Sequence, residues 1–146
     1  MTNPEPTQIL ESLISSTTRL VRIAAQRSGR TMSSATARTL SILSTDGPLR
    51  IGELARASRI SQPGMTKLLR SMIDEEQVSR IAHEDDQRAW LITITPKGLE
   101  AMTTWRATLA AEMGPLFDDL TDEEWDALAT SASLLEARSS REEQFA

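Results

Sequence analysis

Apolar residues recur every three or four positions in six stretches of the chain, a spacing typical of amphipathic α-helices. The predicted helices cover residues 7–27, 35–43, a short segment around Ile51 and Leu54, 61–73, 96–114 and 121–139. Two runs rich in β-branched residues, 78–81 and 88–95, separate the fourth helix from the fifth. Their alternation is that of strands with one buried side. The pattern predicts a mainly α fold with a small β-hairpin, an α+β architecture.

The order of elements between residues 49 and 98 is helix, turn, helix and hairpin, which is the order of a winged helix-turn-helix. In such a motif the second helix enters the DNA major groove. Ser61 is a favoured N-cap for that helix, and Pro63 falls in its first turn, where a missing N–H is tolerated. One side of this helix is predicted to face the core, with Met65, Leu68, Leu69, Met72 and Ile73.

The other side of the second helix shows Gln62, Thr66, Lys67 and Arg70, with no acid between Ser61 and Met72. Donor-rich side chains of this kind reach phosphates and base edges. Every amphipathic helix also has a solvated face, and for one helix alone that interpretation is the more frequent one. The hairpin that follows favours the DNA-binding interpretation.

The hairpin loop contains Asp86 and Arg88, two positions apart, so that the carboxylate could pair with the guanidinium and hold it extended. An extended arginine suits the narrow minor groove, where the potential is most negative. The alternative is an ordinary surface ion pair, which contributes little. His83, Glu84 and Asp85 precede the pair in the same loop.

Residues 49–98 resemble the MarR family of bacterial transcription regulators. The matching segments are Gly52-Glu53-Leu54-Ala55, Ser61-Gln62-Pro63-Gly64-Met65-Thr66-Lys67-Leu68-Leu69, Asp86-x-Arg88 and Ile94-Thr95-Pro96-Lys97-Gly98. The resemblance implies that the Ser61 helix reads the major groove and that Arg88, steadied by Asp86, enters the minor groove. The DNA-contacting set predicted on this helix is Ser61, Gln62, Pro63, Gly64, Thr66, Lys67 and Arg70. Arg59 and Gln77 replace glycines that are frequent in the family, so the wing geometry is expected to adjust there.

Charge is distributed unevenly along the chain. The net charge is −5, yet residues 50–72 hold five basic residues and one acid, and residues 98–146 hold three basic residues and eleven acids. The local field decides phosphate binding, because distant charges are screened beyond about 8–10 Å. An acidic protein with a basic helix-turn-helix is expected to bind DNA with a strong salt dependence.

The first helix and the last two have more apolar face than one winged lobe could cover. An exposed apolar stripe of that size predicts pairing with a second copy, since two-fold dimers dominate among oligomers. The sequence thus predicts a helical dimerisation region, 1–30 and 98–146, and a DNA-binding lobe, 31–97. The resemblance implies the same homodimer. The alternative is a monomer whose flanking helices cap the lobe.

Composition argues against several classes of function. The chain has no cysteine and a single histidine, His83, and it lacks a glycine-rich phosphate loop, so we predict no enzyme, no metal and no cofactor. Sensing of peroxide through a thiol is excluded. No apolar run is long enough to span a bilayer and residues 1–6 do not resemble a signal peptide, which predicts a soluble, cytoplasmic protein without membrane contact.

Relatives in the family often hold a small aromatic or amphipathic effector between the dimer helices and the DNA-binding lobe. Met32, Met102, Trp105 and Met113 are weak candidates for such a site, and methionine is more often plain core. The predicted function is a homodimeric, ligand-responsive repressor that binds double-stranded DNA at a short pseudo-palindrome. The alternatives are a winged-helix protein-interaction module and a small-molecule carrier dimer, neither of which binds DNA.

Overall fold

The computed structural model of the chain describes residues 3–29, 32–86 and 88–145. Within them the element order is α1 (Pro6–Arg27), α2 (Ser34–Asp46), β1 (Leu49–Arg50), α3 (Ile51–Ser58), α4 (Gln62–Asp74), β2 (Val78–Ala82), β3 (Trp90–Ile94), α5 (Pro96–Met113) and α6 (Asp122–Phe145). A 3₁₀ turn, Gly114–Phe117, lies between α5 and α6. The predicted order of helix-turn-helix and hairpin is confirmed.

The chain divides into two compact units. One combines α1 with the second half of α5 and the 3₁₀ turn, and the other contains α2 to β3, the first half of α5 and α6. All of the residues predicted to contact DNA belong to the second unit. The predicted boundaries of a dimerisation region, 1–30 and 98–146, remain a prediction.

The core of the second unit forms where the helices meet the sheet. Its fully buried side chains are Leu40, Leu43, Leu54, Met65, Leu69, Met72 and Ile92. Burying each such side chain contributes about 1.5–3 kcal/mol relative to leaving it in water. On α4, Leu68 and Ile73 pack against this cluster from its edge. The core-facing side predicted for α4 is therefore confirmed, and it fixes which side of that helix remains exposed.

The sheet is antiparallel with the strand order β1-β3-β2. Leu49 pairs with Ile92 on one side of β3, and Arg80 pairs with Ile92 on the other. The hydrophobic pattern did not predict the strand β1, because two residues are too few to show a periodicity. Ile92 is buried as expected, whereas Trp90 at the other end of β3 is 52% exposed. The predicted buried side thus does not extend along the whole strand.

Helix ends follow the capping chemistry of the sequence. Ser33 caps α2 by accepting a hydrogen bond from the Thr36 amide at 3.1 Å. Before α6, Glu124 accepts from the Thr121 amide at 2.9 Å and the Glu124 amide donates to the Thr121 hydroxyl at 3.2 Å, so the two residues form a capping box. The predicted end of this helix near residue 139 is wrong. Residues 139–145 contain no glycine or proline that would stop it.

Candidate nucleic-acid interface

The first turn of α4 is held by its cap. The Ser61 hydroxyl accepts a hydrogen bond from the Gly64 amide at 3.2 Å, and Pro63 occupies the first turn. A Cβ on Gly64 would lie 3.0 Å from both the Ile60 methyl carbon and the Ser61 hydroxyl oxygen. Glycine therefore allows the preceding turn to pack closely on the helix. This packing reason for Gly64 was not visible in the sequence.

The exposed side of α4 carries unneutralised basic groups. Gln62, Lys67 and Arg70 are exposed, and within the described part of the chain the one ion pair lies elsewhere, between Glu76 and Lys97. The hydroxyl of Thr66 donates to the Gln62 carbonyl at 3.0 Å, so this donor is already used within the helix. Since Thr66 is also half-buried, Lys67 and Arg70 are the better placed of the predicted contacts.

Between α3 and α4, Arg59 takes the left-handed conformation that a glycine would adopt without strain. Its φ is 55° and its ψ is 42°. Its amide donates to the Arg56 carbonyl at 3.2 Å, and the Ile60 amide donates to the Ala55 carbonyl at 3.0 Å. The turn thus keeps the geometry expected of a helix end with a left-handed residue, and the larger side chain is accommodated without shifting it.

Next to this turn, Ser58 is completely buried. Its carbonyl accepts a hydrogen bond from Arg38 Nη1 at 3.1 Å, which ties α2 to the end of α3. The Ser58 hydroxyl has no hydrogen-bond partner within the described residues. A buried, unpaired hydroxyl is unfavourable, so this position is a weak point of the fold.

The second non-glycine residue with a positive φ is Glu76, one residue before Gln77, near which the turn was expected to adjust. Glu76 has a φ of 59°. Its carbonyl accepts from the Thr95 hydroxyl at 2.6 Å, and its carboxylate contacts Lys97 Nζ at 3.0 Å. The hydrogen bond to this carboxylate raises the pKa of Lys97 above its ordinary value. A Cβ on Gly98 would collide with the Gln77 carbonyl, so glycine is required where α5 begins beside β2.

At the tip of the hairpin, Asp86 contacts Arg88 through the backbone. The carboxylate Oδ1 accepts from the Arg88 amide at 3.0 Å. The predicted ion pair with the guanidinium is not formed within the described residues, where the Lys97–Glu76 pair is the one ion pair. A short carboxylate reaches the amide two residues on, the Asx-turn geometry, more easily than it reaches the end of a long side chain. Asp86 therefore shapes the turn, and the Arg88 side chain is exposed.

The effector candidates do not share one environment. Met102 belongs to the core of the second unit, and Met32 packs against that core. Trp105 is half-buried and belongs to the first unit. Met32 and Met102 thus have a packing role, the more frequent one for methionine.

The described residues contain no group of three or more histidine, cysteine, aspartate or glutamate side chains that could hold a metal ion. None of their helices combines the length and apolar character that crossing a membrane requires. In the hairpin loop, His83 Nδ1 accepts a hydrogen bond from the Asp85 amide at 3.2 Å.

A sequence model of the MarR family matches residues 32–90, from the start of the second unit to the first residue of β3. Over these residues the chain is similar to MarR-family regulators. An uncharacterized HTH-type transcriptional regulator of Mycobacterium bovis is 28% identical over 96 residues, which are 66% of this chain and 67% of that relative. The resemblance predicted from the helix-turn-helix and from the Asp86-x-Arg88 wing signature is confirmed, and the Ile94-Thr95-Pro96-Lys97-Gly98 segment lies beyond the matched residues.

Solved structures show the same fold. A transcriptional regulator from Thermotoga maritima superposes with a TM-score of 0.72 at 20% identity, covering 92% of this chain and 96% of that chain. A MarR family protein from Bacillus stearothermophilus gives a TM-score of 0.65 at 17% identity, covering 96% of this chain and 99% of that chain. The predicted mainly α winged helix-turn-helix fold is confirmed.

Proposed function

We propose that this chain is a homodimeric repressor of the MarR family that binds a short pseudo-palindromic operator and is released by a small aromatic or amphipathic effector. The observation that carries the proposal is the exposed side of α4. Lys67 and Arg70 lie there with no acid on the same helix between Ser61 and Met72, and neither forms an ion pair within the described residues. Because the opposite side of α4 is buried in the core, this side of the helix faces solvent.

In the proposed complex α4 lies in the major groove. Gln62 and Arg70 are the side chains suited to base edges, because arginine pairs with guanine and glutamine with adenine through two hydrogen bonds each. Lys67 is suited to a phosphate, where a flexible point charge is sufficient. Ser61, Pro63 and Gly64 set the start of the helix, and their part in binding is to bring its first turn close to the backbone of the duplex.

The hairpin supplies the second contact. The Asp86 carboxylate accepts a hydrogen bond from the Arg88 amide, and the Arg88 side chain is exposed. A guanidinium is attracted into a narrow minor groove by its negative potential. We therefore propose that Arg88 reads groove width beside the bases contacted by α4, with Asp86 as its support.

The proposed dimer uses apolar side chains that the fold leaves in water. On α1 these are Ile9, Leu10, Ile14 and Val21, and on α6 they are Trp125, Leu128, Leu134 and Leu135. Ile14 is 68% exposed. Apolar stripes of this length are characteristic of interfaces. A two-fold dimer would present two copies of α4 to successive major-groove faces, about 34 Å apart on a palindrome.

Release by an effector needs a change in the separation of the two copies of α4. A ligand that binds better to a spacing that does not match successive grooves would shift the population toward that spacing. Met32 and Met102 serve the core, so Trp105 and Met113 are the candidates left for contact with this ligand. The test is a titration of small aromatic acids into the preformed DNA complex, with loss of anisotropy of the labelled duplex as the signal.

The decisive experiment measures binding to the DNA that precedes the gene of this chain. We expect a defined footprint there and dissociation constants that increase steeply with salt. Arg70→Glu should abolish the footprint, and Arg88→Ala should weaken binding by about 1–3 kcal/mol. Arg138→Gln, on the exposed surface of α6, removes one positive charge and serves as the control.

Retention of full affinity by both Arg70→Glu and Arg88→Ala would show that the assigned surface is wrong. If the parent protein binds no duplex at low salt, the chain is not a DNA-binding regulator. Binding of an aromatic acid without DNA binding would then indicate a small-molecule carrier, and binding of a protein partner through the hairpin would indicate an interaction module.

A further inference from the structure

We propose that Arg59, in the turn before α4, binds a DNA phosphate, and that this contact explains why an arginine occupies a left-handed backbone position. The proposal rests on the proposed function, because it needs a duplex against α4. Left-handed conformations are uncommon for residues other than glycine, asparagine and aspartate. A strained residue kept where glycine would relieve the strain suggests a use for its side chain.

The two left-handed residues of the second unit differ in what their side chains do. The Glu76 carboxylate pairs with Lys97 at 3.0 Å, and its carbonyl accepts from Thr95. Within the residues that the structure describes, the Arg59 guanidinium has neither an ion pair nor a hydrogen bond, and the residue is exposed. Contacts within the chain thus explain why a residue with a side chain, rather than glycine, occupies position 76. No such contact among the described residues explains the arginine at position 59.

A helix-capping role for Arg59 is already filled by another side chain. The carbonyl of Ser58, the last residue of α3, accepts its hydrogen bond from Arg38 Nη1 at 3.1 Å. Cations at a helix C-terminus are favourable, but here the guanidinium that touches the end of α3 comes from α2. The Arg59 guanidinium remains available for a partner outside the chain.

The position of Arg59 suits an anion held beside α4. Only Ile60 separates it from Ser61, whose hydroxyl caps the helix. Backbone amides at a helix start and a neighbouring arginine together form a favourable environment for a phosphate. Arg59 precedes α4 in the chain, whereas Lys67 and Arg70 lie within that helix. A phosphate contact from Arg59 would therefore flank theirs, and it would add affinity without sequence preference.

The test uses three variants of the full chain and a fluorescein-labelled 30-bp duplex of random sequence. Arg59→Gly relieves the backbone and removes the charge. Arg59→Asn keeps a residue that tolerates the left-handed region and also removes the charge, and Arg59→Lys keeps the charge. Arg22→Gln, on α1, changes the net charge by the same amount outside the helix-turn-helix. Anisotropy is recorded between 50 and 200 mM KCl, and thermal unfolding is recorded without DNA.

We expect Arg59→Gly to unfold at a temperature at least as high as the parent and yet to bind the duplex several-fold more weakly. The slope of log K against log salt should fall by about one for each Arg59 that contacts the duplex. Arg59→Asn should lose affinity to the same degree, Arg59→Lys should retain most of it, and Arg22→Gln should match the parent.

Unchanged affinity and salt slope in Arg59→Gly and Arg59→Asn, with the parent binding normally, would overturn this inference and leave the proposed function intact. A loss of affinity in Arg59→Lys as large as in Arg59→Gly would also overturn it, because the charge would then not be the cause. Failure of the parent to bind any duplex would overturn the proposed function, and the inference with it.

Discussion

The winged lobe and the flanking helices use the same kind of sequence for opposite purposes. On α4, apolar residues at helical spacing are buried, and Leu69 is only 1% exposed. On α1 and α6 the same spacing leaves leucine, isoleucine and tryptophan side chains in water. Because burial of apolar surface is what stabilises a helix in a fold, the lobe obtains this stabilisation within one chain. The exposed side chains of α1 and α6 are those assigned to the proposed dimer interface.

A matched pair of leucine substitutions tests the contrast with the largest expected effect. Leu69→Ala empties a core position and should lower the free energy of unfolding by about 2–5 kcal/mol. Leu134 on α6 is 58% exposed, so Leu134→Ala should change it by about 0.5 kcal/mol or less. Urea unfolding followed by circular dichroism gives both values. Equal losses for the two variants would mean that the lobe does not have the separate core described above.

A charge on the apolar side of α1 tests the proposed assembly. Ile14→Glu should weaken dimerisation by about 3 kcal/mol, since it buries an unpaired carboxylate in the interface, and it should leave the lobe folded. Ser15→Glu, exposed on the same helix, adds the same charge on the polar side and is the control. Light scattering after gel filtration distinguishes dimer from monomer. If the parent is already monomeric, or if Ile14→Glu remains dimeric, α1 is not part of the interface.

The smallest effect concerns the buried hydroxyl of Ser58. Ser58→Ala removes a group that has no hydrogen-bond partner among the described residues and places a better helix former in α3, so it should stabilise the lobe by about 1 kcal/mol. Ser71→Ala, exposed on α4, controls for helix propensity alone. Thermal unfolding of both variants is the measurement. A destabilised Ser58→Ala would show that the hydroxyl is satisfied in solution.

Much of the secondary structure could be predicted because its signals are local. Ser61 as a cap, the core side of α4 and the Thr121 capping box all follow from spacings of three or four residues, which one helix turn imposes. The strand β1 was not predictable in this way, because its two residues are defined by their pairing with β3. The same holds for the left-handed residue at Glu76, which depends on contacts with Thr95 and Lys97 across the start of α5.

In the candidate site, too, the features that depend on neighbouring residues could be predicted and some side-chain contacts could not. Which residues α4 exposes was predictable from its apolar side, and the sequence segments around it were sufficient to indicate the family. The expected pairing of Asp86 with the Arg88 side chain was wrong, since the carboxylate is used by the backbone amide of that residue. The donor of Thr66 is likewise used within α4.

By itself the sequence determined the helical periods, their caps, the basic character of residues 50–72 and the order of elements that makes a winged helix. Only the tertiary structure decided which donors remain available, where the backbone becomes left-handed, and which apolar sides are left without cover. The reason is physical. Periodicity and capping depend on atoms a few residues apart, whereas the partner of a guanidinium or of an apolar stripe depends on the placement of distant segments.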